Sequence, residues 1–240
     1  MKKVLIYGSY GYTGELIVEE GLRQGLPMVL SGRNAKKLQA QAKQADLPFV
    51  VVDLQDRAGL EAVLGEVEVV IHAAGPFVHT YLPMLEACMA TGTHYLDITG
   101  DLDVFEGFAH RSADLRAQEI MAMPGVGFDV VPTDCMAAHL VRKMPEAREL
   151  HLSFKTVGGS VSHGTATTMV GSLGEASRVR REGKIVATTL ATEVMEADFG
   201  RGPTKVYSLP WGDVSTAYHT TGIPNVTTYI SLPPKMARKA

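Results

Sequence analysis

The chain has 240 residues, of which 45% are hydrophobic, and a formal net charge of −3. This balance is typical of a globular protein in water and gives no electrostatic reason to bind nucleic acid or an anionic membrane surface. The length allows one large domain or two modest ones. No apolar stretch approaches the ~20 residues of a membrane span, and the first apolar run is too short for a signal peptide, so we expect a cytoplasmic protein.

Short apolar runs alternate with helical patterns from residue 1 to about residue 130. This order of strands and helices is typical of a doubly wound α/β fold, and runs without polar alternation indicate parallel strands covered on both faces. We therefore predict that residues 1–130 form a Rossmann-like, doubly wound parallel sheet. Its strands are predicted at 4–7, 28–30, 49–52, 67–74, 94–98 and 120–123.

Three glycines at three-residue spacing, Gly8, Gly11 and Gly14, follow the first predicted strand. Residues without a Cβ let a strand turn sharply into a helix and let the backbone approach a pyrophosphate, which the N–H groups of the helix start attract. The sequence therefore predicts a dinucleotide site. A turn without a ligand is the alternative, because Ser9 stands where the G-x-G-x-x-G pattern has a glycine. The remaining predicted contacts of this turn are Ser9, Tyr10, Tyr12 and Thr13.

The second predicted strand ends in Ser31-Gly32-Arg33, where NAD-binding folds of this type usually carry an acid for the ribose 2′-hydroxyl. Because no carboxylate is present and the Arg33 guanidinium can bind a 2′-phosphate, the sequence favours NADP over NAD, with Ser31 and Arg33 in the site. The alternative is that Arg33 is a solvated loop residue. Lys36 and Lys37 either add positive charge to the site or lie on a solvated face.

Two further strand ends supply candidate cofactor contacts. Asp53 follows the third strand, where such folds meet the adenine, or else it caps the next helix. Ala74, Gly75 and Pro76 follow the fourth strand and can lie against ribose and nicotinamide, because ligands of these folds bind outside the carboxyl ends of the strands.

The second half of the chain has a different pattern. A helix is predicted to begin at Pro132, and residues 148–156 alternate as in a strand with one polar face. Residues 158–164 are predicted to form a loop of small residues, and a further helix is predicted from Met169 to Arg181. We therefore predict that residues 131–240 form a second, α+β domain.

Several motifs carry a resemblance to one family: Gly11-Tyr12-Thr13-Gly14, Ser31-Gly32-Arg33, Ala74-Gly75-Pro76-Phe77, the stretch 92–100, Gly127-Phe128-Asp129 and Pro132-Thr133-Asp134. Together they resemble the saccharopine dehydrogenase-like oxidoreductases over residues 1 to about 180, and the first domain is also similar to the trans-acting enoyl reductases. The resemblance implies an NADP-binding domain followed by a mixed-sheet domain for substrate contact and dimerisation. A homodimer is therefore expected.

Three features depart from the family pattern. Asp101 stands where relatives often carry glutamate, and His163 interrupts a Ser-Gly-Gly-Thr-like loop at 162–165. Relatives also usually continue well past this C-terminus, so we expect either a natural short form or a fragment that lacks part of the substrate pocket.

Hydride transfer requires few side chains beyond one that supplies or accepts a proton. Asp97 and Asp101, at and beyond the end of the fifth strand, are the predicted catalytic acids, unless they only cap turns. His163 is a third candidate because it lies in a glycine-rich loop at a predicted helix start, although an ordinary loop histidine would look the same. His72, within an apolar strand, is expected to be a core residue.

Other chemistries find no support in the sequence. It shows no Ser/His/Asp set, no metal-spaced histidines and carboxylates, and no Tyr and Lys at the spacing of short-chain dehydrogenases. Cys88 and Cys135 lie in apolar segments and are expected to be buried thiols. We therefore predict an NADP-dependent oxidoreductase that transfers hydride to or from a small carbonyl, imine or activated alkene. The alternative is a non-catalytic NADP-binding sensor or scaffold.

Overall fold

The computed structural model describes residues 3–156, 177–189 and 191–231. Contacts divide the chain into two compact units. Unit 1 comprises residues up to Thr99 together with Glu106–Gly127, and unit 2 comprises Gly100–Phe105 together with the described residues from Phe128 onward. The elements in chain order are β1 (Lys3–Tyr7), α1 (Tyr12–Arg23), β2 (Met28–Gly32), α2 (Ala35–Ala45), β3 (Phe49–Val51), α3 (Arg57–Leu64), β4 (Val67–His72), α4 (Phe77–Thr91), β5 (His94–Asp97), α5 (Leu102–His110), α6 (Ser112–Ala117), β6 (Ala122–Met123), α7 (Val131–Val141), β7 (Glu149–Phe154), β8 (Ser177–Arg181), β9 (Lys184–Thr188), β10 (Val194–Asp198), β11 (Pro203–Leu209), α8 (Asp213–Thr221) and β12 (Asn225–Ile230).

Unit 1 is built on a six-stranded parallel sheet with the strand order β3-β2-β1-β4-β5-β6. The chain first winds outward from β1 to β3 and then crosses over to β4 on the other side of β1. The prediction of a Rossmann-like, doubly wound sheet is therefore confirmed. In such sheets ligands bind at the carboxyl ends of the strands where the winding reverses, which here is the boundary between β1 and β4.

The two faces of this sheet have different cores. On one face α1 and α2 cover β1 and β2, and the buried side chains are Ile6, Val18, Met28, Leu30, Leu38 and Ala42. On the other face rings from neighbouring strands pack at an angle. The ring centroids of Tyr7 and His72 are 5.5 Å apart with an interplanar angle of 54°, and those of His72 and Tyr95 are 6.2 Å apart with an angle of 61°. These three rings pack together on this face, near the carboxyl ends of β1, β4 and β5.

The expectation that both sheet faces are covered fails over β6. Met123 is 50% exposed and is paired in register with Leu96, which is also partly exposed. A cavity of about 310 Å³, lined mostly by apolar groups from α1, β1 and β4, opens on the face that carries α1. Within the described part of the chain, the sheet face that carries α1 is therefore open over β4, β5 and β6.

Unit 2 contains a second sheet, which confirms the predicted α+β character. Its central strand β12 pairs in parallel with β7 and antiparallel with β11 and β8, and the order along the main path is β10-β11-β12-β8-β9. Helices α7 and α8 contribute to a core with β7 and β12, formed by Ala137, Leu150, Leu152, Ala217, Ile223 and Val226. The alternation predicted for 148–156 is thus confirmed as β7.

The helix predicted to end at Arg181 is wrong over residues 177–181, which form β8. This segment pairs antiparallel with β9, and Val179 faces Val186 in the pairing. The turn between them uses Glu182 and Gly183 at positive φ, a tight connection that favours a hairpin over a helix. The earlier part of the predicted helix lies outside the described residues.

The two thiols lie in different environments. Cys88 in α4 is buried, and burial raises the pKa of its thiol to about 12. The expectation of a buried thiol is wrong for Cys135, which lies exposed on α7, because apolar content alone does not determine which face of a helix packs. Across the described ranges, no helix has the length and apolarity needed to cross a membrane.

A buried carboxyl group lies at the start of α8. Asp213 is 1% exposed, and Thr133 Oγ1 lies 2.5 Å from its Oδ1. Burial raises the pKa of Asp213 to about 7, and the neighbouring carboxylates Asp134 and Asp129 act in the same direction. The folded state therefore retains this proton to higher pH than the unfolded chain does.

Asp213→Asn, which imitates the protonated acid, should remove a pH-dependent part of the stability. Because the folded pKa lies above the unfolded value of 3.8, this group contributes stability that is fully present below about pH 4 and is lost as the pH rises through 7. Relative to wild type, the free energy of unfolding of the variant should gain about 2 to 3 kcal/mol between pH 5 and pH 8 in denaturant titrations. Asp46→Asn, at an exposed position, should show no such trend, and an equal trend in both variants would contradict the assignment.

Candidate functional site

The turn after β1 passes unusually close to the segment after β4. Gly8 has φ +82°, and a Cβ built on it would lie 2.9 Å from Ala74 Cβ and 3.0 Å from the carbonyl carbon of Ala73. The backbone itself is fixed because Gly8 N–H donates to Ser31 O at 2.8 Å. Only glycine fits this position, so the chain brings the ends of β1, β2 and β4 together at the reversal of the winding.

The third glycine allows α1 to start directly against this turn. A Cβ on Gly14 would lie 2.2 Å from the Gly8 carbonyl oxygen and 2.8 Å from the carbonyl carbon and oxygen of Ser9. The helix begins at Tyr12, and Gly11, its N-cap residue, has no side chain to accept a hydrogen bond from the first turn. The N–H groups of Tyr12 and of the two following residues therefore have no acceptor within the helix.

The two helices that follow α1 in the chain are capped by side chains. The side chain of Asn34 caps α2 by accepting from Lys37 N–H at 3.1 Å, and the side chain of Asp56 caps α3 by accepting from Gly59 N–H at 3.0 Å. An uncapped helix start beside a glycine turn offers free donors and a partial positive charge to an anion. The α1 start combines both features, whereas the start of α4, which also has no side-chain cap, follows Pro76.

The end of β2 lies against the same turn. The Ser31 carbonyl accepts from Ser9 N–H at 3.3 Å as well as from Gly8, and the Tyr10 hydroxyl accepts from Asn34 N–H at 3.2 Å. Arg33 is exposed between these contacts, one residue before the α2 cap. Its guanidinium is thus accessible at the start of α2, close to the turn.

Asp53 lies exposed at the end of β3. Its Oδ1 accepts from Gln55 N–H at 2.9 Å, so the alternative that Asp53 caps the next helix is wrong; Asp56 occupies that position. Burial raises the pKa of Tyr7 to about 12, with Asp53 adding to the rise and Arg33 opposing it. The carboxylate and the guanidinium therefore both act on the Tyr7 hydroxyl, which donates to Val52 O.

The segment after β4 is supported by His72. The Thr80 hydroxyl donates to Pro76 O at 3.1 Å, so it can only accept from His72 Nε2, which lies 3.1 Å away. Burial lowers the pKa of His72 to about 3. The expectation of a core histidine is confirmed, and this neutral ring connects β4 through Thr80 to the turn at Gly75 and Pro76, whose peptide bond is cis.

Asp97, at the end of β5, is fully buried and accepts hydrogen bonds at both carboxylate oxygens. Its Oδ2 accepts from the Tyr95 hydroxyl at 2.6 Å, while Oδ1 accepts from the N–H groups of Thr99 at 2.9 Å and Gly125 at 2.8 Å. These bonds hold the segment after β5 against the segment after β6. The geometry thus gives Asp97 a positioning function, and its predicted part in proton transfer stays a prediction.

The other two predicted catalytic residues are not among the described residues of unit 1. Asp101 belongs to unit 2, directly precedes α5 and accepts from the N–H groups of Val104 and Phe105 with its carbonyl oxygen. Burial raises the pKa of Asp129, which also lies in unit 2, and the charge of Asp101 adds to the rise. His163 lies outside the described residues. The catalytic assignments of Asp101 and His163 stay predictions.

Several contacts that shape the site were missed by the sequence reasoning. Gln41 in α2 hydrogen-bonds Ser9, and Thr80 joins His72 to Pro76. Asn34 had a detectable signal, because an asparagine before a helical pattern is a common cap. Gln41 and Thr80 had none, since each contact depends on how separate elements pack. The predicted contacts of the dinucleotide stay predictions at the level of single residues.

Gly14→Ala should separate α1 from the glycine turn. Its methyl group would overlap the Gly8 carbonyl oxygen, which is part of the backbone and cannot rotate away. We expect a loss of about 2 kcal/mol in unfolding free energy and at least tenfold weaker NADPH binding by fluorescence titration. Gly65→Ala is the control, because a Cβ there makes an ordinary 3.4 Å contact. Unchanged NADPH affinity in Gly14→Ala would contradict the placement of the pyrophosphate.

Comparison with known proteins identifies relatives among the saccharopine dehydrogenase-like oxidoreductases and the enoyl reductases. Residues 4–123 match the family model described as the saccharopine dehydrogenase NADP binding domain. A trans-acting enoyl reductase of Mycobacterium leprae is 32% identical over 157 residues, covering 60% of this chain and 37% of that protein. A human saccharopine dehydrogenase-like oxidoreductase is 24% identical over 203 residues, covering 74% of this chain and 47% of that protein. The matched region spans less than half of either relative.

The fold also matches a solved structure. Apo saccharopine dehydrogenase (L-Glu forming) from Saccharomyces cerevisiae superposes with a TM-score of 0.69 at 16% identity, covering 96% of this chain and 55% of that chain. At this identity the likeness shows the shared fold alone. The family model covers half of the chain, and the sheet that it matches carries the glycine turn described above. The chain therefore belongs to the saccharopine dehydrogenase-like oxidoreductase family, and its cofactor is NADP.

Proposed function

We propose that the protein is an oxidoreductase that transfers hydride between NADP(H) and a small carbonyl, imine or activated alkene. The observation that carries the proposal is the contact of Gly8 with Ala74. It joins the glycine turn of Gly8, Gly11 and Gly14, which we call the pyrophosphate turn, to the end of β4. A dinucleotide bound at α1 would run from β2 across this contact toward β4 and β5, where the nicotinamide of such folds lies. The relatives, a trans-acting enoyl reductase and a saccharopine dehydrogenase-like oxidoreductase, support the same class of reaction.

The adenosine half would lie toward β2 and β3. Arg33 is exposed just before α2, and Lys36 and Lys37 lie exposed in the first helical turn. The Lys37 ammonium lies 5.6 Å from the centre of the Tyr10 ring, so that cation remains close to the turn. We place the 2′-phosphate of NADP between the Arg33 guanidinium and the start of α2, because a guanidinium binds phosphate oxygens in a bidentate way.

Arg33→Ala should weaken binding of NADPH much more than binding of NADH. The 2′-phosphate would lose a charge-assisted, bidentate contact, whereas NADH has no group at that position. We expect about 30-fold weaker NADPH binding and less than threefold weaker NADH binding by fluorescence titration. Lys43→Ala removes an equal charge from the last turn of α2 and serves as the control. Equal losses for the two dinucleotides would overturn the assignment of Arg33.

Hydride transfer requires the protein to position the nicotinamide and to supply or accept a proton. Within this proposal Asp97 holds the segments beside the nicotinamide, since its carboxylate already accepts from Tyr95, Thr99 and Gly125. Asp101 and His163 are the proposed groups for proton transfer. Asp101→Asn and His163→Gln should therefore lower kcat while leaving NADPH affinity unchanged.

Turnover tests the proposal directly. Purified protein is mixed with NADPH and, in separate reactions, with aldehydes, with keto acids plus amines, and with enones, and the nicotinamide absorbance is followed. Oxidation of NADPH that depends on one of these classes supports the oxidoreductase. Tight NADPH binding without turnover on any class favours the non-catalytic sensor or scaffold. A homodimer is proposed from the family resemblance, and a single monomeric mass across concentrations in light scattering would contradict it.

A further inference from the structure

Ser9 and Gln41 join the glycine turn to α2 through a pair of hydrogen bonds. The Ser9 hydroxyl donates to Gln41 Oε1 at 2.7 Å, and Gln41 Nε2 donates to the Ser9 carbonyl oxygen at 2.8 Å. Ser9 is fully buried, and the two residues lie 32 positions apart in the chain. Because both atoms of the Gln41 amide are used, the side chain is fixed in orientation as well as in position.

This pair fixes the direction of one peptide unit in the turn. In a trans peptide the carbonyl and the N–H of the next residue point in opposite directions, and the Ser9–Tyr10 bond is trans. Since the Ser9 carbonyl points to Gln41, the Tyr10 N–H points away from α2. Among the hydrogen bonds of the described residues, this N–H has no protein acceptor. It is therefore oriented as a free donor beside the uncapped start of α1.

The same pair sets the spacing between two anion subsites. Gln41 lies in the helix whose start follows Arg33, and Ser9 lies in the turn that precedes α1. The Tyr10 hydroxyl adds a second connection by accepting from Asn34 N–H at 3.2 Å. A ligand that carries phosphate groups at both places needs this spacing, whereas a ligand with a pyrophosphate alone needs only the turn.

We propose that Gln41 is a positioning residue that acts through Ser9 to hold the pyrophosphate turn at the distance from α2 that NADP requires. Gln41 thereby determines specificity for the phosphorylated dinucleotide without contacting its 2′-phosphate. This inference rests on the proposed placement of NADP between α1 and α2.

Gln41→Leu tests the proposal by keeping the size of the side chain and removing both hydrogen bonds. The exposed Gln44 on the same helix gives the matched control, Gln44→Leu. Dissociation constants for NADPH and NADH are measured by fluorescence titration of the full chain, with circular dichroism to show that each variant is folded. We expect NADPH binding to weaken about tenfold and NADH binding about two- to threefold, so that the preference for NADPH falls. A purely structural contribution would weaken both equally, and that outcome, or no change at all, overturns the proposal.

Ser9→Ala provides a second variant that retains the Ser9 carbonyl and a compatible backbone. It should lower the preference for NADPH by about twofold, and the double variant with Gln41→Leu should be no worse than Gln41→Leu alone, because the hydroxyl acts through Gln41. Multiplicative losses in the double variant would contradict a shared action. If wild-type protein bound neither dinucleotide, the proposed function would fail. Discrimination by Arg33→Ala with an unchanged preference in Gln41→Leu would remove this inference alone.

Discussion

The candidate site depends on one constraint, which is backbone packed against backbone where no Cβ can fit. Gly8 lies against Ala74, and Gly14 lies against the Gly8 carbonyl oxygen. Side chains at either position would push the first helix and the fourth strand away from the turn. Because these contacts exist, the ends of three parallel strands and the start of one helix share a small volume. Every proposed contact of the dinucleotide in unit 1 follows from that closeness.

Polar side chains around this turn act mainly as fixed supports. The ring of His72 remains neutral since burial lowers its pKa to about 3, and it connects β4 to the Pro76 carbonyl through Thr80. Asp97 accepts from Tyr95, Thr99 and Gly125 and so joins the segments after β5 and β6. The Nδ1 atom of His72 has no hydrogen-bond partner among the described residues. The bonds that these groups do make hold one geometry, because breaking one would leave a further polar atom without a partner in a medium of low dielectric constant. Gln41 likewise holds the pyrophosphate turn in one geometry through its two hydrogen bonds to Ser9.

Unit 2 also contains a buried polar group, but there burial changes the charge state of the group. Asp213 is buried beside Thr133, and the carboxylates of Asp134 and Asp129 make ionisation still less favourable, so its pKa rises to about 7. A carboxyl group of this kind titrates in the range in which enzymes transfer protons. It also makes the stability of the protein depend on pH. No pattern in the sequence marked Asp213, since its burial depends on how α8 packs against α7.

The sequence by itself determined the doubly wound sheet and the glycine turn and predicted NADP as the cofactor, because strand periodicity, glycine spacing and a second strand that ends without an acid are local signals. The contact of Arg33 with the cofactor stays a prediction. Its expectations were wrong for the strand at 177–181, which pairs with the adjacent β9, and for the exposure of Cys135, and it missed the pairing of Ser9 with the distant Gln41. Only the tertiary structure decided these points, because the partner of a side chain and the face that a helix buries depend on packing between elements that local patterns do not record.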